Sequence, residues 1–149
     1  MVTVESSSPE ETERVAARLA AHLRSGDVVT VAGELGSGKT TFVRGAARAL
    51  GVDTPVTSPT YTIGHRYPSH PNVSHLDLYR YEALTDEDWG DIEAYFDGAI
   101  VFVEWPERAG SFLGEPAAAV RLRLQGDEHR LIEVASGTKS LEIALSELC

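Results

Sequence analysis

The chain has 149 residues, 42% of them hydrophobic and 24% charged, with 13 Lys and Arg against 23 Asp and Glu and a net charge of −10. That length suits one domain built on a single core, residues 1–149 together, and no apolar run reaches the roughly 18 residues of a membrane span. The acid excess and the scattered basic residues argue against strong nucleic-acid binding by this chain alone, because neutralising phosphates supplies most of that affinity. One cysteine, Cys149, leaves no internal disulfide and no cysteine-rich zinc site. The acidic start "MVTVESSSPEE" lacks the basic and apolar segments of a secretion signal, so the expected location is the cytoplasm.

In chain order, "VTV" (2–4) reads as an opening strand. Ser8-Pro9-Glu10-Glu11 reads as a helix start, with Ser8 as cap, Pro9 in the first turn and Glu11 closing a capping box. The helix carries Val15, Leu19 and Leu23 on one face and is expected to stop at Ser25-Gly26. "VVTVA" (28–32) predicts a buried strand, followed by a glycine-rich loop and a second helix to Leu50, with Gly51 as its stop. Pro55 and Pro59 punctuate a loop; "YTIGHRY" (61–67) and "VSHLDLY" (73–79) read as strands joined by a turn. "TDEDWGDIEAYF" (85–96) predicts a capped helix interrupted near Gly90, and "AIVFVEW" (99–105) the most apolar strand. "AAVRLRLQ" and "HRLIEVA" flank Gly126-Asp127 as a hairpin, and 139–148 closes as a helix. This order predicts an α/β domain: a mixed, mostly parallel sheet flanked by helices.

The chemistry starts at Gly33-x4-Gly38-Lys39-Thr40, a complete P-loop pattern between a strand and a helix. Gly33, Gly36 and Gly38 permit positive φ, so that successive N–H groups turn inward as an anion nest. Lys39 would meet the β- and γ-phosphates, and the Thr40 hydroxyl a Mg²⁺ ion. Such a loop names no reaction by itself. "IVFVE" has the form of a Walker B strand, ending in Glu104; the plainer alternative is an acid facing solvent. Asp77 in "SHLDLYR" is a second candidate acid, alternatively a surface residue paired with Arg80. His75 shares its strand face and reads as a packed structural histidine. Thr60 in "TSPTY" could bring a hydroxyl to the γ-phosphate from a switch-like loop, or bond its own backbone in a turn. Trp89 and Trp105 read as core, with Trp105 drawn toward the nucleotide by its neighbour Glu104. Asn72 is the only asparagine, so the guanine-reading Asn-Lys-x-Asp pattern cannot occur and adenine is the expected base.

Taken together, "GELGSGKTTFVRG", "SPTYT", "HLDLYR" and "VEWPE" resemble the TsaE (formerly YjeE) family, in order and spacing from about residue 5 to 135. The resemblance implies a small P-loop ATPase needed for threonylcarbamoyladenosine in tRNA, working with TsaB and TsaD, the latter performing the transfer. It implies that Glu34, Leu35, Gly36, Ser37, Gly38, Lys39, Thr40 and Thr41 surround the ATP phosphates. Thr40 and Glu104 become the metal residues, Asp77 a support for metal or attacking water, and Thr60 part of a switch-like loop. Trp105 and Glu107 fall at the edge of the nucleotide site, Ser6 and Ser8 near the adenine, and Arg130 on a hairpin reaching the nucleotide. The stretch "RYEALTDEDWGDIEAYF" departs from the family pattern. Two other readings stay open on the loop alone: a small-molecule phosphotransferase, which would need an arginine-bearing lid, and a nucleotide sensor with negligible turnover.

Overall fold

The computed structural model describes residues 1–57, 63–136 and 139–147. Seven strands form one sheet: β1 (Val2–Ser6), β2 (Val28–Gly33), β3 (Gly64–Tyr67), β4 (Asn72–Asp77), β5 (Ala99–Glu104), β6 (Ala118–Leu124) and β7 (Arg130–Ser136). Their spatial order is β1-β7-β6-β2-β5-β4-β3. β6, β2, β5 and β4 run parallel to one another, whereas β7 is antiparallel to both β6 and β1, and β3 to β4. All strands except β7 and β3 therefore point one way, in the predicted mixed sheet, whose pairings among the described residues are three parallel and three antiparallel. The helices are α1 (Pro9–Ala20), α2 (Lys39–Ala49), α3 (Asp86–Ile92) and α4 (Lys139–Ser146). None among the described residues is long and apolar enough to cross a membrane.

Period-two alternation divides the core. From β5, Ile100 and Phe102 join the larger cluster with Val29, Val31, Leu19, Phe42, Val43 and Leu145, beneath α1, α2 and α4. Val101 and Val103 face the other side, where Leu76, Leu78 and Ile92 pack with Trp89, Phe96 and Phe112. Trp89 stacks on Phe112 at 5.3 Å between centroids and is core, as expected. The helices α1 and α2 meet at Gly45, where a Cβ would come within 2.5 Å of Glu13 Cα.

Several boundaries shift for local reasons. The α1 helix ends at Ala20 rather than near Ser25, because the N–H groups of His22 and Leu23 bond the carbonyls of Leu19 and Ala20, tightening the last turn. Ser8 caps α1, but the Glu11 carboxylate reaches the N–H and hydroxyl of Ser7 instead of closing a box on Ser8. A reciprocal box forms at α3, between Thr85 and Asp88. That helix breaks after Ile92, two residues beyond Gly90, and continues as a 3₁₀ turn over Glu93–Phe96. Trp105 leaves the β5 strand altogether: φ 59° and ψ 50° put it in the left-handed region. Thr60, and the start of the strand expected over 61–67, lie outside the described residues.

Candidate functional site

Three parallel strands end side by side, where open α/β sheets bind their ligands. β2 ends in Gly33 and leads into the loop; Asp77 ends β4 and Glu104 ends β5, directly opposite each other in register. Glu104 is in phase with Ile100 and Phe102, so it faces the α2 side of the sheet. It is 3% exposed, and its Oε2 accepts the Thr40 hydroxyl at 3.1 Å and lies 2.5 Å from His75 Nε2. The predicted carboxylate thus meets the first turn of α2 across 64 residues of sequence and is no solvent-facing strand end. Asp77 is half-buried beside it, with Oδ1 accepting the Tyr79 N–H at 3.0 Å.

The loop is held open by its glycines. Gly36 and Gly38 have φ of +79° and +101°, and Gly38 starts α2 with no side-chain cap, which leaves the helix's first N–H groups to other acceptors. Lys39 folds back inside the loop, its Nζ donating to the carbonyls of Gly33 (2.7 Å) and Glu34 (2.9 Å) and standing 4.4 Å from the Trp105 ring centre. Burial pushes its pKa below the usual lysine value, and the carboxylates of Glu104, Asp77, Glu107 and Glu34 oppose that shift. Ser37 is fully buried and its Oγ has no hydrogen-bond partner among the described residues.

Two openings flank the loop. One, about 410 Å³, is lined by Ser7, Ser8, Thr12, Ser37, Gly38, Thr41 and Arg130, with Pro9, Asp127 and Glu128. Arg130 crosses from β7 to the loop, where Nε donates to Ser37 O at 3.1 Å and Nη2 to Gly36 O at 3.3 Å. Ser6 lies behind this cavity, 1% exposed, with its hydroxyl bonded to Ser8 O and Thr12 Oγ1. The other opening is shallower and lined by Gly33, Glu34, Leu35, Tyr79, Trp105, Glu107 and Arg121. Tyr79 packs on Trp105 at 5.0 Å, and Arg108, 5.4 Å from that ring, donates to the carbonyls of Tyr79 and Tyr81.

The stretch from the end of β1 into β7, which carries the loop, the two sheet-end acids and the hairpin arginine, matches one family. A family profile for "Threonylcarbamoyl adenosine biosynthesis protein TsaE" matches residues 6–132. The chain belongs to the TsaE family. A Bacillus subtilis TsaE described as a tRNA threonylcarbamoyladenosine biosynthesis protein is 36% identical over 143 residues, covering 95% of this chain and 89% of the relative. A Treponema pallidum TsaE of the same description is 37% identical over 131 residues, covering 87% and 97%. The crystal structure of Bacillus subtilis YdiB superposes with a TM-score of 0.74 at 30% identity, over 99% of this chain and 93% of that one.

Of the residues predicted for this TsaE-family site, Ser8, Ser37, Gly38, Thr41 and Arg130 line the first opening and Glu34, Leu35, Trp105 and Glu107 the second. Thr40 bonds Glu104 next to Asp77, Lys39 lies within the loop, and Gly36 meets Arg130 through its carbonyl. Sequence reasoning gave no site role to Tyr79 or Arg108, and treated His75 as packing alone. A parallel neighbour of β5 with His75 two residues before Asp77 was the available signal, since same-face residues on adjacent strands approach each other. Among the described residues no group of three His, Cys, Asp or Glu side chains forms a self-sufficient metal site. The hard oxygens of Thr40 and Glu104, with Asp77 alongside, suit Mg²⁺, which keeps waters and takes phosphate oxygens for its remaining positions.

Proposed function

We propose that this chain is a Mg²⁺-dependent, slowly hydrolysing ATPase that serves threonylcarbamoyladenosine modification of tRNA in the cytoplasm. It acts on the TsaB and TsaD proteins instead of gripping tRNA itself. The observation that carries the reading is the Thr40–Glu104 hydrogen bond beside Lys39, which joins the loop helix to a buried carboxylate at the sheet's ligand-binding end.

On this reading the loop from Glu34 to Thr40 holds the phosphates through backbone N–H groups, with Lys39 as their cation. Thr40 and Glu104 hold Mg²⁺, which when bound neutralises phosphate charge and polarises the γ-phosphoryl group. Asp77, in register with Glu104, supports the metal or orients the attacking water. The cavity beside Ser8, Thr41 and Arg130 takes the adenine side of ATP, while Leu35, Trp105 and Glu107 border the opposite mouth. Thr60 is assigned to the switch-like loop on the family resemblance.

Lys39→Ala tests this. ATP affinity should drop at least about tenfold, equivalent to about 1.4 kcal/mol, with the fold retained. Calorimetric titration of wild type and variant measures it, and equal affinities would sink the assignment. A second titration, of the chain against TsaB and TsaD with and without ATP, tests the partners.

A further inference from the structure

His75 has no role in the reading above, yet it is fully buried and its Nε2 is 2.5 Å from Glu104 Oε2. Sheet parity places it there: Val73, His75 and Asp77 project from β4 to the same face as Ile100, Phe102 and Glu104 from the adjacent β5. A carboxylate this deep needs donors, and Oε2 has two, the Thr40 hydroxyl and the imidazole. The other ring nitrogen, Nδ1, is buried with no partner among the described residues. That asymmetry selects the tautomer. With the proton on Nε2, the ring donates to the carboxylate and leaves only a lone pair unpaired. With it on Nδ1, a lone pair would oppose a carboxylate and an N–H would be buried alone.

We infer that His75 is a positioning residue for the metal-facing carboxylate: its Nε2–H pins Glu104 Oε2 against the Thr40 hydroxyl, and so sets the affinity for the divalent cation of the nucleotide complex. The inference rests on the Mg²⁺–ATP reading. A divalent cation held by Thr40 would use a lone pair of its hydroxyl oxygen, so the O–H could still donate to Glu104 Oε2 while His75 fixes that oxygen from the other side. Plain packing would be served by an apolar side chain of similar volume, without the cost of an unpaired Nδ1. Among the described residues the hydrogen-bond partner of the His75 ring is Glu104, and the histidine acts through that carboxylate.

The test compares His75→Met, which fills the space without a donor, with His75→Gln, whose amide N–H can reach the position of Nε2. ATP binding is followed by calorimetry at increasing Mg²⁺, alongside binding of ADP in EDTA, with circular dichroism to verify folding. His75→Met should raise the half-saturating Mg²⁺ concentration about ten- to hundredfold, while metal-free ADP affinity changes less than about twofold. His75→Gln should restore the Mg²⁺ requirement to near the wild-type level. Overturning results are a folded His75→Met that titrates with Mg²⁺ like wild type, or a His75→Gln as defective as His75→Met. If His75→Met does not fold, His75→Asn, whose amide falls one methylene short, replaces it under the same expectations. A wild-type chain that binds ATP without regard to Mg²⁺ defeats the metal part of the underlying reading, and one that binds no ATP defeats the nucleotide reading itself, before any variant is compared.

Discussion

At the end of β2, a Cβ on Gly33 would stand 2.6 Å from both the Leu122 carbonyl oxygen and Ser37 Oγ, at a φ of +150°. The Leu122 oxygen belongs to the paired strand β6, which the register holds against β2, so it cannot yield without loss of sheet contacts. Gly36 differs. Its φ is +79°, but nothing lies within 4 Å of the position its Cβ would take. Gly36→Ala should therefore cost only the left-handed conformation, about 1–2 kcal/mol. Gly33→Ala adds a backbone clash of about 1–3 kcal/mol to its own conformational penalty. Urea denaturation of the two variants should rank Gly33→Ala clearly below Gly36→Ala, and the reverse order would mean that the loop, not the strand pair, sets this position.

Among the elements, α1 gives the clearest electrostatic prediction. The Glu11 carboxylate accepts the Ser7 N–H at 3.0 Å and the Ser7 hydroxyl at 2.8 Å. These two bonds to Ser7, the backbone one first, hold its pKa below the ordinary glutamate value. Because the folded state favours the ionised form, the contribution to stability is fully present above the ordinary value. It is lost as pH falls through the lowered one. Wild type should then be more stable than Glu11→Gln at neutral pH, with the difference shrinking as the solution is acidified below the ordinary carboxylate range. Denaturation midpoints at neutral and acid pH measure it, and a pH-independent difference would place the effect in packing. The same turn lines the cavity at Ser7 and Ser8, so α1 helps to shape the site as well as the core.

For the molecule as a whole, charge decides how it can serve tRNA. On the proposed reading, a net charge of −10 with no run of basic residues offers little phosphate neutralisation, and long-range repulsion opposes encounter with a polyanion. The isolated chain should give no tRNA shift in a gel at low salt, where electrostatic binding is strongest. A micromolar complex that weakens steeply with salt would overturn the indirect role. If ATP selects the conformation that docks, ATP should tighten association with TsaB and TsaD, and those partners should tighten ATP binding by the same factor. Titrations run in both directions check that equality.

The sequence by itself determined the elements whose cause is local. Ser8-Pro9 starts a helix, a continuous apolar run makes β5, and Gly33, Gly36, Gly38 and Lys39 mark a glycine-rich loop between a strand and a helix. The four motifs also identified the family. Tertiary structure alone decided which distant residues meet. The order β6-β2-β5-β4 brings Asp77 and Glu104 together beside the loop, and side-chain parity turns Glu104 toward Thr40 and His75. No spacing within the chain encodes those contacts, because strand order and register depend on how the whole sheet buries its two faces. Ser6 makes the same point in reverse. It stands next to cavity-lining Ser7 in sequence, yet the last residue of a β1 strand paired with β7 turns its hydroxyl into the core.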